Sequence, residues 1–394
     1  MKFSKPVYLV AAKRTAIGSL QGMLSTVPST ELGAKVIAGV IAEAKLDPQH
    51  VDQVILGSVL TAGQGQAPAR QAALKAGLPV STQAFTVNKV CSSGLKAVIL
   101  AANEIELGAA NIVIAGGMEN MSLSPYILPA LRSGARLGNT QAIDTMVNDG
   151  LWDPYNNYHM GNAAELCARE MKISREDQDR YALESYARAK TAIEAGWFKK
   201  EIVSVPVGSG KTATEFSVDE EPGKLKAEKV PELRPVFDKS GTVTAANASS
   251  INDGAAAMIV CSEAALKQYG LTPLARVVAH GWNSREPEWF TMAPVGAMER
   301  LVQFGGTTID ALDLVELNEA FATVAVACQR ELKIDSTKLN VSGGAVALGH
   351  PIGASGARIL TTLLYNLERL TLKRGAVGIC NGGGEATALL VERV

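Results

Sequence analysis

The chain has 394 residues, a net charge of −1 and an aromatic fraction of 5%. Its length exceeds one ordinary hydrophobic core and predicts two or three domains, and its balanced charge argues against a nucleic-acid-binding surface. No apolar run approaches the about 20 residues that a membrane-spanning helix needs. The five cysteines form no C-x-x-C pair, which disfavours a zinc site or a disulfide framework and predicts a reducing, cytoplasmic location.

The first part of the chain alternates predicted strands and helices. An apolar run over residues 7–12 is too short for a signal peptide and predicts the first strand. Ser29 and Thr30 then open a helix whose apolar face extends over residues 32–41. Residues 52–59 and 111–115 predict two further buried strands, the second ending at Gly116 and Gly117. This alternation predicts a largely parallel sheet with helices on both faces.

From about Met121 to Ser250 the composition changes, because proline, glycine, asparagine and charged residues become frequent. One strong helix is predicted within it, over residues 175–195, and residues 208–230 are typical of a surface loop. We interpret the region as a large insertion of the kind that builds a binding wall.

The pattern after Ile251 repeats the first half. Residues 52–57 resemble residues 313–318 at an offset of 261, and residues 114–117 resemble residues 379–382 at an offset of 265. Two similar α/β halves packed together would place equivalent loops side by side, so a site between them could draw on both.

The stretch around Cys91 is the strongest candidate for the chemistry. A β-prone run over residues 85–87 precedes Cys91, Ser92, Ser93 and Gly94, and apolar residues then recur at helical spacing. This pattern predicts a sharp strand-to-helix turn, where free N–H groups and the helix dipole should lower the pKa of the thiol. The alternative is a small buried hydrophobic residue. The neighbouring small residues favour a nucleophile, because they let a substrate approach the backbone.

Three motifs in the second half complete the set. Asn318 follows a strand and precedes a helix, so it is either an N-cap or an amide that fixes a water or a carbonyl. His350 stands in a loop of small residues before a helix from about Ala354, where an imidazole could activate a thiol or donate to an oxyanion. Cys380 follows a predicted strand over residues 376–379, and the three glycines after Asn381 could supply the N–H groups of an oxyanion hole.

Together these motifs resemble those of the thiolase family, in the family's order and along nearly the whole chain. Residues 88–94 resemble the motif of the acyl-carrying cysteine, and residues 318–322, 349–353 and 380–384 resemble the other three motifs. The resemblance implies a duplicated α/β core of two similar layered halves with a large inserted loop domain.

The implied division has three parts. The N-terminal half covers residues 1–120 and 251–272, the inserted loop domain residues 121–250, and the C-terminal half residues 273–394. Within the insertion, residues 124–140 resemble the loop that ties two dimers together. A homodimer or homotetramer is therefore expected.

The resemblance implies reversible Claisen condensation of two acetyl-CoA to acetoacetyl-CoA and CoA, with coenzyme A thioesters as substrates and neither a cofactor nor a metal. Cys91 would become acetylated after His350 takes its proton, and Cys380 would remove a proton from the methyl group of the second acetyl-CoA. One oxyanion hole would use His350 and a water held by Asn318. The other would use the N–H groups of Cys91 and Gly382.

The substrate contacts implied by the resemblance come mainly from the insertion. The expected binding residues are Leu151, His159, Met160, Lys224, Phe237, Ala245, Ser249 and Phe321. Met160 and Tyr158 should cap the acyl pocket, which predicts a preference for short chains.

The sequence departs from the family's pattern at three places. Glu385 follows the glycines where a small or apolar residue is expected, and Gly223, followed by Lys224, stands where arginine usually contacts coenzyme A. The pair Trp289 and Phe290 is bulkier than in many biosynthetic members.

Other functions compete with this one. A degradative thiolase acting on longer 3-ketoacyl-CoA is the nearest alternative. A decarboxylating ketoacyl synthase would pair its cysteine with two histidines, or with a histidine and an asparagine, and a non-catalytic lipid carrier would not need all three reactive residues. A phosphate-binding loop at residues 208–212 fails, because Val205 stands where its first glycine is required.

Overall fold

The computed structural model describes residues 1–208, 210 and 213–394. Its α-helices are α1 (Ser29–Ala44), α2 (Pro68–Lys75), α3 (Ser93–Leu107), α4 (Met160–Glu170), α5 (Arg175–Glu194), α6 (Glu263–Gln268), α7 (Ala293–Gly305), α8 (Ala322–Leu332), α9 (Ala345–Leu348) and α10 (Ile352–Arg369). Its longer strands are β1 (Lys2–Thr15), β3 (Gln53–Gly57), β4 (Gln83–Val87), β5 (Ile112–Asn120), β13 (Asn252–Ser262), β14 (Ala275–Ser284), β15 (Leu314–Leu317), β16 (Arg374–Asn381) and β17 (Glu385–Arg393).

Shorter strands lie mainly in the first 216 residues. They are β2 (Gly18–Ser19), β6 (Tyr126–Ile127), β7 (Ile143–Asp144), β8 (Trp152–Asp153), β9 (Tyr158–His159), β10 (Ile202–Val203), β11 (Val205–Val207) and β12 (Thr214–Phe216). Helical turns outside the α-helices cover Pro48–His50, Pro129–Ser133, Met146–Leu151, Trp197–Lys200, Glu221–Gly223, Ala227–Glu232 and Pro287–Met292.

The main sheet is mixed, so the prediction of a largely parallel sheet is wrong. Its order is β15-β16-β17-β14-β1-β13-β5-β3-β4, with β10 pairing β1 and β2 pairing β13. The parallel pairs are β3 with β4, β3 with β5, β15 with β16 and β1 with β10. β17 follows β16 after a turn of three glycines, and a connection that short allows only an antiparallel partner.

The predicted duplication is confirmed by the sheet. The order β3, β5, β13, β1 in the N-terminal half matches β15, β16, β17, β14 in the C-terminal half. The carboxylate of Asp52 accepts the N–H groups of residues 111 and 112 at 2.7 and 2.9 Å. Asp313 accepts those of residues 373 and 374 at 3.0 and 2.7 Å. Equivalent carboxylates therefore anchor the beginning of equivalent strands.

Two strands extend beyond their predicted bounds. β1 begins at Lys2, and β5 continues through Gly116 and Gly117 to Asn120 instead of ending there. A Cβ atom added to Gly116 would lie 2.0 Å from the carbonyl oxygen of Ala256, and one added to Gly117 would lie 2.0 Å from that of Gly353. These glycines therefore serve close packing of other segments on the strand, not termination of the strand.

Helices α3 and α10 occupy the centre of the molecule. They share one apolar core with strands of both halves, while α1 and α2 cover the outer side of the N-terminal half and α7 and α8 that of the C-terminal half. A Cβ atom added to Gly356 would lie 2.6 Å from the backbone nitrogen of Leu95, and one added to Gly94 would lie 3.0 Å from that of Ala357. Glycine at both contacts lets the N-termini of α3 and α10 approach closely, and Cys91 and His350 each precede one of these termini.

The region from 121 to 250 holds short strands and two helices. Its predicted helix is confirmed as α5, which begins with a capping box between Ser174 and Asp177. The predicted surface loop contains β12 and two helical turns, and residues 209, 211 and 212 of the rejected phosphate-loop motif lie outside the described residues. β13 then returns the chain to the N-terminal half between β1 and β5. The three domain boundaries stay a prediction.

Within the part of the chain that the structure describes, no helix is both long and apolar enough to cross a membrane.

Candidate active site

Cys91 lies where the sequence predicts it, on the turn between β4 and α3. Val90 has a φ of +47°, a left-handed conformation that is uncommon for a β-branched residue. The turn is held locally, because the Ser93 hydroxyl accepts the N–H of Lys89 at 2.8 Å and donates to the carbonyl of Val90 at 2.6 Å. The strained backbone places the half-buried Cys91 side chain at the edge of a cavity.

The prediction of a lowered thiol pKa is wrong. Burial raises the pKa of Cys91 to about 12, although the N–H groups of Gly382 and of Cys91 itself act in the opposite direction. The buried carboxylate of Glu119 adds to the rise in this pKa. Loss of hydration therefore outweighs the helix terminus, and Cys91 needs a base in order to react.

His350 supplies a base of the right form. The residue follows Gly349, whose φ is +101°, and its N–H donates to Asn252 Oδ1 at 2.9 Å. The imidazole Nδ1 lies 2.6 Å from Ser355 Oγ, and that hydroxyl donates to the carbonyl of Pro351 at 2.9 Å. Because the hydroxyl proton is used there, we assign the imidazole proton to Nδ1, which leaves Nε2 as the acceptor.

The charge state of His350 agrees with this assignment. Burial lowers the pKa of His350 to about 3, and the positive charge of Arg358 contributes to the shift. The imidazole is therefore neutral near pH 7 and can accept a proton at Nε2.

Asn318 lies beside His350 and does not cap a helix. Its Nδ2 is 3.4 Å from His350 Nε2, whereas α8 begins only at Ala322 after Phe321. Asn318 Oδ1 is buried and has no hydrogen-bond partner among the residues that the structure describes. Of the two alternatives for this residue, the N-cap is excluded, and the amide lies where it could hold a polar group next to the imidazole.

Cys380 lies inside β16, because that strand ends at Asn381, two residues beyond its predicted end at Ile379. Its side chain is 1% exposed. Burial raises the pKa of Cys380 well above its usual range, and the nearby thiols of Cys91 and Cys328 contribute to the rise. Cys380 is therefore a neutral thiol directly behind Cys91 and becomes a base only after it loses a proton.

The glycines after Asn381 form the turn between β16 and β17. Gly383 and Gly384 have φ values of +88° and +82°, and a Cβ atom added to Gly384 would lie 2.3 Å from the carbonyl oxygen of Arg285. The turn directs the N–H of Gly382 towards Cys91, where it acts on the thiol together with the N–H of Cys91. Two backbone donors thus converge on the position of the nucleophilic sulfur.

A cavity of about 300 Å³ opens onto these groups. Three predicted catalytic residues line it, Cys91, His350 and Gly382, while Cys380 and Asn318 lie behind its wall. The predicted binding residues that line it are Leu151, His159, Met160, Phe237, Ser249 and Phe321. The His159 ring stacks on Phe237 with 4.7 Å between ring centroids, and its Nδ1 accepts the N–H of Gly161 at 3.0 Å.

Three expected contacts are not part of the cavity wall. Ala245 is exposed on the loop before Ser249, and Tyr158 is not among the lining residues. The ammonium group of Lys224 contacts the hydroxyl of Ser19 and lies 3.4 Å from Glu221 Oε1. The contact of Lys224 with coenzyme A stays a prediction, since its side chain is half exposed and pairs here with residues of the chain itself.

Glu385 pairs with Lys89 and faces away from Cys380. It accepts a hydrogen bond from the Lys89 ammonium group and a second from Ser284 Oγ at 3.1 Å. Although partial burial acts to raise it, these hydrogen bonds and the Lys89 charge lower the pKa of Glu385. This departure from the family's pattern thus places an ionised carboxylate at the outer side of the glycine turn.

Several residues of the site were not identified from the sequence. The remaining lining residues are Met121, Gly150, Val236, Ala248, Ser250, Ile251, Phe290, Ala320 and Ile352. Glu319 is a buried anchor whose carboxylate accepts bonds from Tyr181, Ser185, Asn340 and the N–H of Val346. Only its place beside Asn318 could have pointed to it, because all four partners are at least 21 residues away.

Comparisons with known proteins agree with this geometry. The model of the thiolase N-terminal domain matches residues 7–264, and that of the thiolase C-terminal domain matches residues 271–393. The acetyl-CoA acetyltransferase of Escherichia coli is 51% identical over 392 residues, covering 99% of this chain and 100% of that protein. That of Cupriavidus necator is 50% identical over 389 residues, covering 98% and 99%.

A solved structure extends the similarity to the fold. The crystal structure of the Bacillus anthracis acetyl-CoA acetyltransferase superimposes with a TM-score of 0.97 at 39% identity, covering 100% of both chains. The match confirms the predicted α/β fold class. The chain belongs to the thiolase family.

Proposed function

We propose that the protein is an acetyl-CoA acetyltransferase that condenses two acetyl-CoA to acetoacetyl-CoA and CoA, reversibly. The proposal depends on one observation. The thiol of Cys91, the neutral imidazole of His350 and two convergent N–H donors lie at one cavity wall, and the thiol of Cys380 lies behind it. Relatives that are 50% and 51% identical to this chain are named acetyl-CoA acetyltransferase.

In the first half-reaction the Cys91 proton passes to His350 Nε2. The sulfur forms a bond to the acetyl carbonyl carbon, and the bond from that carbon to the coenzyme A sulfur breaks. The departing sulfur takes the proton of Cys380, which leaves Cys380 as a thiolate, while the proton from Cys91 stays on His350 Nε2. The negative charge on the carbonyl oxygen is stabilised by the N–H groups of Cys91 and Gly382. Because the pKa of the resting thiol is about 12, transfer of its proton has to accompany attack.

In the second half-reaction Cys380, as a thiolate, removes a proton from the methyl group of a second acetyl-CoA. The enolate oxygen is stabilised by the N–H that His350 Nε2 gained from Cys91 and by a polar group held by Asn318. The enolate carbon then bonds to the acetyl carbon on Cys91, the bond from that carbon to the Cys91 sulfur breaks, and the sulfur takes its proton back from His350. A thiolate opposite a donor pair accomplishes this step without a metal or a cofactor.

The cavity favours short acyl chains over the degradative alternative. Met160, Phe290 and Phe321 project bulky side chains into it, and Phe290 packs edge-on against Phe321 with 6.4 Å between centroids. Rates with acetoacetyl-CoA and a ten-carbon 3-ketoacyl-CoA test this point. A higher kcat/KM for the longer substrate would identify a degradative enzyme.

A dimer or tetramer is proposed from exposed apolar surface. The segment from 123 to 137 exposes Leu123, Tyr126, Ile127, Leu128, Leu131 and Leu137, the last at 99%. The edge strand β4 exposes Phe85. Surfaces of this kind are typical of protein–protein contacts, and sedimentation velocity gives the oligomeric state directly. The cytoplasmic location stays a prediction.

The assignment of Cys380 is tested with Cys380→Ser, which separates the half-reactions. A serine hydroxyl is far less acidic than a thiol, so the variant should no longer exchange the methyl protons of acetyl-CoA with deuterium or condense two molecules. It should still acetylate Cys91, although more slowly, because the weaker acid at position 380 protonates the departing sulfur less readily. Mass spectrometry and deuterium exchange on one preparation decide the matter, and exchange at the wild-type rate would remove Cys380 from this role.

A further inference from the structure

The two N–H donors beside Cys91 come from different halves of the chain. The N–H of Cys91 belongs to the turn before α3, and that of Gly382 to the turn between β16 and β17. Nothing covalent fixes their separation, since 290 residues of chain lie between them. An oxyanion hole works only when its donors are held close to their productive positions.

The sequence of each turn does not fix where that turn lies relative to the other. Val90 adopts its left-handed conformation against its intrinsic preference, and Gly383 and Gly384 leave the other turn with little side-chain packing. The separation of the donors therefore depends on contacts between the two turns.

Two polar contacts join the turns, one on each side of the donors. On the buried side, Ser92 Oγ donates to Asn381 Oδ1 at 2.7 Å. On the outer side, the Lys89 ammonium group pairs with the Glu385 carboxylate. Lys89 precedes Cys91 by two residues and Glu385 follows Gly382 by three, so the two contacts bracket the donor pair along the chain.

Both ends of the outer contact are fixed to the backbone that carries the donors. The N–H of Lys89 is held by Ser93 Oγ at 2.8 Å, and Glu385 begins β17, where it pairs with Asn381 of β16 and with Ser284 of β14. A change in the separation of Lys89 and Glu385 would therefore be transmitted to the N–H groups of Cys91 and Gly382.

The exposure of the pair argues against a role in overall stability. The side chains of Lys89 and Glu385 are 25% and 37% exposed, and partly exposed ion pairs add little to the free energy of folding. The acidic residue of the pair begins the strand after the glycine turn, and its partner is the basic residue of the nucleophile turn.

We propose that Lys89 and Glu385 are a positioning pair that sets the separation of the Cys91 and Gly382 N–H donors and so the rate of Cys91 acylation. The inference rests on the proposed function, because it assumes that these donors stabilise the oxyanion of the acylation step. Neither residue of the pair lines the cavity.

The test is a double-mutant cycle in the full-length protein with Glu385→Gln, Lys89→Met and both together. The rate of Cys91 acetylation by saturating acetyl-CoA, followed by mass spectrometry, should fall about three- to fivefold in each single variant, the range expected for one partly exposed ion pair. KM and the melting temperature should change little. The double variant should be no slower than either single variant, because both remove the same interaction.

Two further measurements separate positioning from general damage. The reversed pair, Lys89→Glu with Glu385→Lys, should recover most of the acylation rate. Raising the ionic strength from roughly 0.05 to 0.5 M should slow the wild type towards Glu385→Gln and leave that variant nearly unchanged, because salt screens the pair. Glu31→Gln is the matched control, since it breaks the similarly exposed Lys75–Glu31 pair away from the cavity, and it should acylate at the wild-type rate.

The proposal is overturned if Glu385→Gln acylates at the wild-type rate, if the losses of the two single variants multiply in the double variant, or if the reversed pair recovers nothing. Failure of the proposed function looks different. In that case the wild-type protein itself shows no acetyl group on Cys91.

Discussion

The turn before α3 and the turn before α10 occupy the same place in the two halves, yet burial acts on them in opposite ways. Cys91 precedes α3 by two residues, as His350 precedes α10. Burial raises the pKa of the thiol to about 12 and lowers that of the imidazole to about 3. In both places desolvation favours the neutral form, so Cys91 and His350 rest as thiol and imidazole. Proton transfer between them becomes favourable only when the sulfur attacks an acyl group.

The two turns are also supported differently. The Cys91 turn holds itself through Ser93, whereas His350 depends on Asn252 and Ser355 from outside its loop and from the helix that follows. Duplication thus provided two equivalent helix termini, and different local contacts made one of them hold a nucleophile and the other a base.

Of all the substitutions, Cys91→Ala should cause the largest loss of activity. Removal of the thiol leaves no carrier for the acyl group, so both condensation and thiolysis should fall to background. Steady-state assays in both directions, with the melting temperature as a check on folding, measure the loss. Substantial turnover by the purified variant would transfer the role of carrier to another residue.

His350→Ala should slow acylation by a factor of about 10²–10⁴, the usual result of removing a general base. The effect is smaller than that of Cys91→Ala because water can accept some of the protons. The measurement is the single-turnover rate of Cys91 acetylation. His280→Ala serves as the control, since His280 is also buried and its pKa is lowered to about 4, but it lies near the N-terminus and not at the cavity. Fast acetylation in His350→Ala would leave His350 only a structural role.

The difference between what the sequence predicted and what it did not follows from the range of the interactions. The Cys91 turn, the duplicated strands and helix α5 were predictable, because each depends on a contiguous pattern of apolar, small and capping residues. The thiol pKa had the wrong sign, because the helix terminus is visible in the sequence while burial beneath the opposite half is not.

Packing between distant segments accounts for the other errors. β5 continues through Gly116 and Gly117 because backbone from residues 256 and 353 packs directly on them. Phe290 was noted for its size, but its place in the cavity wall depends on the folding of segments that lie far apart in the chain.

The two halves should also differ in the pH dependence of their stability. Glu316 is a buried carboxyl group of the C-terminal half, and the equivalent position of the N-terminal half, at the offset of 261, is Ile55. Burial raises the pKa of Glu316 to about 8, and the charges of Glu319 and Glu201 add to the rise while that of Arg358 opposes it. Between pH 4.5 and about 8 the unfolded chain is ionised at this residue and the folded chain is not, so stability should fall with rising pH, by up to ~1.4 kcal/mol per pH unit.

Glu316→Gln should remove the contribution of Glu316 to that slope, because glutamine cannot ionise in either state, and should leave the contribution of Glu119, whose pKa burial raises to about 7. The free energy of unfolding by urea at pH 5, 6, 7 and 8 measures the slope, and Glu331→Gln, an exposed change on the neighbouring helix α8, should leave it as in the wild type. An unchanged slope in Glu316→Gln would mean that Glu316 is ionised in the folded protein throughout this range.

The smallest expected effect tests the equivalence of the halves themselves. Asp52 and Asp313 each accept two successive backbone N–H groups at the beginning of β5 and β16. Asparagine keeps the shape of the side chain but replaces charge-assisted bonds with neutral ones, so each substitution should destabilise the fold by about 1 kcal/mol. The two costs should agree within about 0.5 kcal/mol and should add in the double variant, because the residues lie in different halves.

Urea unfolding of Asp52→Asn, Asp313→Asn and the double variant measures them, with the exposed Asp310→Asn as a control. A cost at only one of the two positions would show that the matching hydrogen bonds do not carry matching free energies, and that the halves have kept the same geometry while diverging in what stabilises it.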